Sequence, residues 1–137
     1  MKKVNKVFLG GTRTSDWRNG FIDKLNINYF NPVVDDWNDE AYQKELYERE
    51  HCDFVLYVIT PKMAGAYSIA EVIDDSNKRP EKTIFCFVEN ESNEYSSHSF
   101  PKKMLNSMFA VGKMVEKNGA HWFKTLEECV EFLNGGI

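Results

Sequence analysis

Residues 61–76 read PKMAGAYSIAEVIDDS and follow directly on the apolar run FVLYVIT. A loop of small residues thus hands one carboxylate, Glu71, into what reads as the first turn of a helix. Two chemistries fit. Ser68 and Glu71 have the S-x-x-E spacing of a capping box, in which the glutamate folds back onto the helix's own backbone. Alternatively, the helix N-terminus keeps the carboxylate ionised at the rim of a sheet, and an ionised carboxylate can act as a nucleophile. Taken alone, the stretch leaves both readings open.

Three other segments carry groups suited to a ligand. In GGTRTSDWRNG, Gly10 and Gly11 let the backbone approach closely, Thr12, Thr14 and Ser15 offer hydroxyls, and Arg13 and Arg18 offer fork-shaped donors for phosphate or carboxylate. The segment matches neither a dinucleotide fingerprint nor a Walker A loop. It also reads as a solvated turn with Ser15 or Asp16 capping a helix. In NPVVDDW, Asn31 and Pro32 close a strand, and Asp35 or Asp36 could accept from a sugar hydroxyl; a turn with an N-cap at Asn38 or Asp39 fits equally. In AYQKELYEREHCD, Glu45 lies eight residues before Asp53, two helical turns away. His51, near the end of that helix, suits a cap that complements the dipole.

These groups need a scaffold, and the chain alternates strand-like and helix-like segments throughout. Strands are expected at 6–10, 28–34 (ended by Pro32), 53–60, 82–89 and 120–123. Helices are expected at 17–26, with Trp17, Phe21, Ile22 and Leu25 on one side, and at 39–52, with Ala41, Leu46 and Tyr42 inward. Further helices are expected up to about Asn77, within 101–118, and from Thr125, where Glu128 completes a capping box. The stretch NESNEYSSHS (90–99) reads as a polar, mobile loop. The apolar runs are two-faced, as in buried parallel strands. The order therefore implies an α/β three-layer sandwich with a doubly wound, mostly parallel five-stranded sheet of the Rossmann or flavodoxin kind, as a single domain spanning 1–137. Such sheets bind ligands beyond the carboxyl ends of their strands.

Composition narrows the partners. The chain has 137 residues, 42% hydrophobic and 28% charged, with a net charge of −4. That balance fits a globular domain and argues against a polyanion-binding or membrane-surface role. A small anion remains compatible, since an arginine pair and backbone N–H groups suffice to hold one. Cys52, Cys86 and Cys129 lack metal-ligand spacing and read as buried thiols of a reducing compartment. The N-terminal MKKVNKVFLGG is too short in its apolar part for a signal peptide or a span, so a cytoplasmic location is expected.

The segments KVFLGGT…SDWR, YFNPVVDDW and CDFVLYVIT, followed by a loop with SIAEV, resemble in order and spacing the nucleoside 2-deoxyribosyltransferase-like family, over residues 6 to about 76. The resemblance implies that Glu71 is a nucleophile that takes a deoxyribosyl group as a covalent ester, with Gly65 and Ser68 lining its loop. It places Phe8 where the family has an aromatic at the end of the first strand. It puts Glu45 where the family commonly has an aspartate that assists base protonation. It further implies no cofactor or metal, a nucleoside or nucleotide substrate, and a homo-oligomer in which a neighbouring subunit completes the site. That contribution would come from 104–114, with Asn106 and Met108 as candidates. Tyr67 departs from the pattern, standing where the family often has glycine. Trp17, Tyr67 and Phe8 offer rings for a base, and Arg13 and Arg18 suit a 5′-phosphate. Three functions follow: N-glycosidic cleavage or transfer through Glu71, a catalytically silent nucleotide-binding module of the same fold, or an NAD glycohydrolase.

Overall fold

The computed structural model describes residues 5–135; Met1 to Val4, which open the N-terminal stretch considered above, lie outside the described residues. In chain order the elements are β1 (Lys6–Gly11), α1 (Trp17–Lys24), β2 (Asn28–Phe30), α2 (Asp39–His51), β3 (Phe54–Ile59), α3 (Tyr67–Lys78) and β4 (Thr83–Phe87). They continue with β5 (Asn90–Ser92), β6 (Ser97–Ser99), α4 (Lys102–Lys117), β7 (His121–Trp122) and α5 (Leu126–Leu133).

The sequence FVLYVI of β3 is apolar on both faces, so it is stable only where both faces are covered. It occupies the centre of a five-stranded parallel sheet of order β2-β1-β3-β4-β7. Leu56 and Val58 look to one layer, where Trp17 and Phe21 of α1 and Cys129 and Leu133 of α5 join Val7, Leu9, Ile84 and Cys86. Val55, Tyr57 and Ile59 look to the other, packed with Val72 of α3 and with Met108 and Val115 of α4. This is the three-layer α/β sandwich expected from the alternation. All three cysteines are buried free thiols. Desolvation, with the Glu48 carboxylate beside it, pushes the Cys52 thiol up to about 12, so it is inert near neutral pH.

Several boundaries differ from expectation. The second strand stops at Phe30, with only three residues in register against β1, because Pro32 lacks the N–H that a longer ladder needs. Residues 90–99 are not an irregular loop. They form an antiparallel hairpin in which Glu91 faces His98, tied back where Ser15 Oγ donates to Glu91 Oε2 at 2.7 Å. The inward face of α2 is charged: Glu48 and Arg49 are buried while Leu46 is 36% exposed. Leu46 points outward because the positions facing the protein meet Lys6 and α3 rather than apolar neighbours. At α5 Thr125 caps the helix as read, its Oγ1 accepting from the Glu128 N–H at 3.1 Å and donating to Glu128 Oε1 at 3.3 Å.

Candidate active site

The order in which the chain adds strands reverses between β1 and β3, and the crevice beyond their carboxyl ends is the expected ligand site. A cleft opens there in two contiguous parts. The outer part, about 500 Å³, lies between the Gly11–Thr14 loop, Val33, and the loop and helix start from Met63 to Ser68. The inner part, about 190 Å³, reaches down to Phe8, Gly10, Arg18, Pro32, Trp37, Glu45 and Glu71. Gly11, Arg13, Tyr67 and Ser68 line both.

The floor depends on the two glycines. Gly11 has φ +116°, and a Cβ there would sit 2.0 Å from the Val58 carbonyl oxygen, so the end of β1, paired beside Val58 of β3, requires glycine. At Gly10 a Cβ would meet the Tyr57 ring at 2.7 Å and the Phe8 ring at 2.9 Å. The loop beyond them is held by its own side chains. Thr12 Oγ1 accepts from the Thr60 N–H at 3.0 Å, and the Thr12 carbonyl accepts from Trp17 Nε1 at 3.1 Å and Arg18 Nη1 at 2.8 Å. Arg18 also donates to the carbonyls of Leu9 and Gly11. Burial, with the charge of Arg13 nearby, pushes Arg18 down to about 10. Its guanidinium is therefore committed to the backbone, whereas Arg13 is exposed and makes one bond, to the Val34 carbonyl at 2.8 Å. Of the two arginines, Arg13 is the one free to meet an anion.

Glu71 sits in the first turns of α3, and the capping-box alternative is absent. The N-cap is Ala66 and no side chain caps the helix. The Glu71 carboxylate instead faces α2, where Arg49 Nη1 donates to its Oε2 at 3.4 Å. Its side chain is 13% exposed. Desolvation pushes it up to about 7; Arg49 opposes that rise, while the charges of Glu45, Asp75 and Asp74 add to it. Glu45 lines the same inner cleft and is held by Trp37, whose Nε1 donates to Glu45 Oε2 at 3.2 Å. Two carboxylates thus share one small cavity, one pushed to near-neutral pH by its surroundings. Such a pairing suits a nucleophile or general base working beside an acid.

The structure brings Phe8, Gly10, Gly11, Thr12, Arg13, Arg18, Glu45, Gly65, Ser68 and Glu71 to the cleft. It does not bring Trp17, Asn31, Asp35 or Asp36 there. Trp17 is buried against Phe21, the Asn31 side chain accepts from the Val33 N–H, and the two aspartates are exposed on the loop before α2. Met108 is 3% exposed in its own core, whereas Asn106 is on the surface. His51 Nδ1 meets the Tyr47 carbonyl at 2.8 Å at the end of α2, consistent with a cap. Reading by sequence missed Trp37, Pro32 and Val33 as lining residues, and Arg49 altogether. The signal for Trp37 was its position at the end of the NPVVDDW loop. For Arg49 it was the i, i+4 spacing from Glu45, indistinguishable in sequence from a solvated helix face.

Among the described residues, no group of three or more His, Cys, Asp or Glu is arranged to hold a metal ion, and no helix is long and apolar enough to cross a membrane. Residues 4–90 match the family model described as nucleoside 2-deoxyribosyltransferase like. The match covers more than half of the chain and every element of the cleft. The chain belongs to the nucleoside 2-deoxyribosyltransferase-like family. No curated protein matches the sequence.

Proposed function

We infer that the protein cleaves or transfers the N-glycosidic bond of a (deoxy)nucleoside or nucleotide through a covalent glycosyl ester on Glu71. The observation that carries this reading is the Glu71 carboxylate. It is largely shielded from solvent, uncommitted to helix capping, pushed to about 7 and shares the cleft at the β1/β3 switch with a second carboxylate, Glu45. In the first step a Glu71 oxygen bonds to the anomeric carbon. The carbon–nitrogen bond breaks, its electron pair leaves with the base, and Glu45 supplies the proton the base takes up. In the second step water or another base attacks the same carbon, giving its proton back to Glu45, and the ester bond breaks, returning the electron pair to Glu71. Two displacements give retention.

The remaining lining divides by chemistry. Phe8, Trp37 and Tyr67 offer rings to a base, and Gly10, Gly11 and Ser68 admit the sugar. Arg13, exposed in the outer part of the cleft, suits a 5′-phosphate. The family resemblance further supports a homo-oligomer, with the exposed face of α4 around Asn106 as the segment a neighbour would offer.

The test is incubation of the protein with deoxynucleosides, their 5′-monophosphates and NAD, with and without a free base, followed by chromatography. Base release or exchange that is lost in Glu71→Ala supports the reading. Turnover that survives in Glu71→Ala overturns it, and absence of turnover on every substrate favours the silent binding module.

A further inference from the structure

The cleft lining stops at Glu71, yet the group that faces its carboxylate from behind is Arg49, a cation only 7% exposed along its side chain. Arg49 serves three carboxylates of α3 at once. Its Nε and Nη2 form a fork on Asp75, each at 3.1 Å, while Nη2 also meets Asp74 at 3.1 Å and Nη1 meets Glu71 at 3.4 Å. Asp75 is fully buried and anchored twice more, by the Tyr57 hydroxyl at 2.5 Å and by Arg79 at 2.9 Å. Asp74 has a second cation in Lys78 at 3.1 Å.

The asymmetry has a consequence. Asp74 and Asp75 keep a cation if Arg49 is removed, whereas among the described residues Glu71 pairs with no cation but Arg49. The fork on Asp75 fixes the guanidinium plane, since a bidentate pair restricts geometry as well as adding energy. That leaves Nη1 pointing at Glu71 through the longest contact of the set. A carboxylate held loosely by a rigid cation can turn toward the cleft without dismantling the network.

We propose that Arg49 is a positioning residue for Glu71: clamped by Asp75, which the Tyr57 hydroxyl holds in turn, it orients the carboxylate toward the cleft and sets a fixed counter-charge behind it. This rests on the reading of Glu71 as the nucleophile. Arg49 then assists both half-reactions. Before attack it favours the ionised carboxylate, and in the second it stabilises that carboxylate as the group that leaves the anomeric carbon. The other charged or titratable groups facing Glu71 are Glu45 from α2, Asp74, Asp75 and Tyr67 from α3, and Tyr57 from β3. Apart from Arg49 these are acids, so none can replace its charge.

The test combines two readouts on wild type, Arg49→Gln and Arg49→Lys. One is the carboxyl ¹³C titration of Glu71, assigned by its loss in Glu71→Gln. The other is the pH profile of base release. In Arg49→Gln the Glu71 midpoint and the acidic limb of kcat/KM are both expected to move up by about one pH unit or more. Arg49→Lys keeps the charge without the fork, so the midpoint should return toward wild type while kcat stays about tenfold or more down at unchanged KM. A folded Arg49→Gln with neither readout moved, or an Arg49→Lys with wild-type kcat, overturns the proposal; if Arg49→Gln does not fold, Arg49→Lys decides. A wild type that releases no base overturns the Glu71 chemistry itself, while the titration midpoint, which needs no turnover, still reports whether Arg49 sets the ionisation of Glu71.

Discussion

Replacing Glu71 by glutamine should make the protein more stable at alkaline pH and leave it no more stable at acidic pH. The folded protein pushes Glu71 from its ordinary 4.5 to about 7, mainly because burial disfavours the charged form. A group whose pKa is raised by folding contributes stability that is complete below the unfolded value, and loses it as pH rises to the folded one. For Glu71 that window runs from 4.5 to about 7. At about 1.4 kcal/mol per pH unit, ionised Glu71 costs the folded state up to about 3 kcal/mol above neutrality. Glutamine keeps the shape without the charge, although the contact with Arg49 weakens. Urea unfolding of wild type and Glu71→Gln at pH 5 and pH 8 measures the difference. The variant is expected to gain about 1–3 kcal/mol over wild type at pH 8 and much less at pH 5. Equal destabilisation at both pH values would refute the reasoning, because it would mean that Glu71 is held as a stabilising ion pair rather than as a strained carboxylate.

Four further outcomes follow from the same geometry. Glu45→Gln should slow base release by about two orders of magnitude or more for bases that leave poorly, and least for activated leaving groups, read from kcat on a leaving-group series. Arg13→Met should leave the urea midpoint unchanged but raise KM for a 5′-monophosphate relative to its nucleoside. Arg18→Met should instead cost about 3 kcal/mol or more of stability, because three backbone carbonyls lose a buried donor. Tyr57→Phe should cost about 1–3 kcal/mol by circular dichroism melts, since buried Asp75 loses its hydroxyl partner.

The layer order of the fold was legible because it follows from local pattern. Strands β3 and β4 are apolar on both faces, so helices had to cover both sides, and the carboxyl-end cleft followed from the connections. The ends of β2 and the hairpin at 90–99 were less legible. A three-residue edge strand and a polar hairpin carry almost no periodic signal. In the site, the glycine floor could be placed because it closes a strand, whereas Glu71 and Glu45 were singled out only through the family resemblance, since the residues alone left a helix cap and a solvated helix face open. Arg18 was legible as an arginine in a ligand loop, but its commitment to carbonyls depends on how α1 packs back onto that loop. Arg49 and Trp37 were not legible as site residues. An arginine on a charged helix face is buried only because Asp75 and Tyr57 await it on other elements, and that is a tertiary fact.

The central claim is the covalent ester on Glu71, and a slow substrate tests it most directly. A nucleoside whose sugar carries fluorine at the 2-position retards breakdown of such an ester by destabilising the positive charge that develops at the anomeric carbon. Mass spectrometry of the quenched and digested protein should then find the fluorosugar on the peptide carrying Glu71, with none in Glu71→Gln. Release of base from that nucleoside with no adduct formed, or an adduct on another residue, would contradict the account.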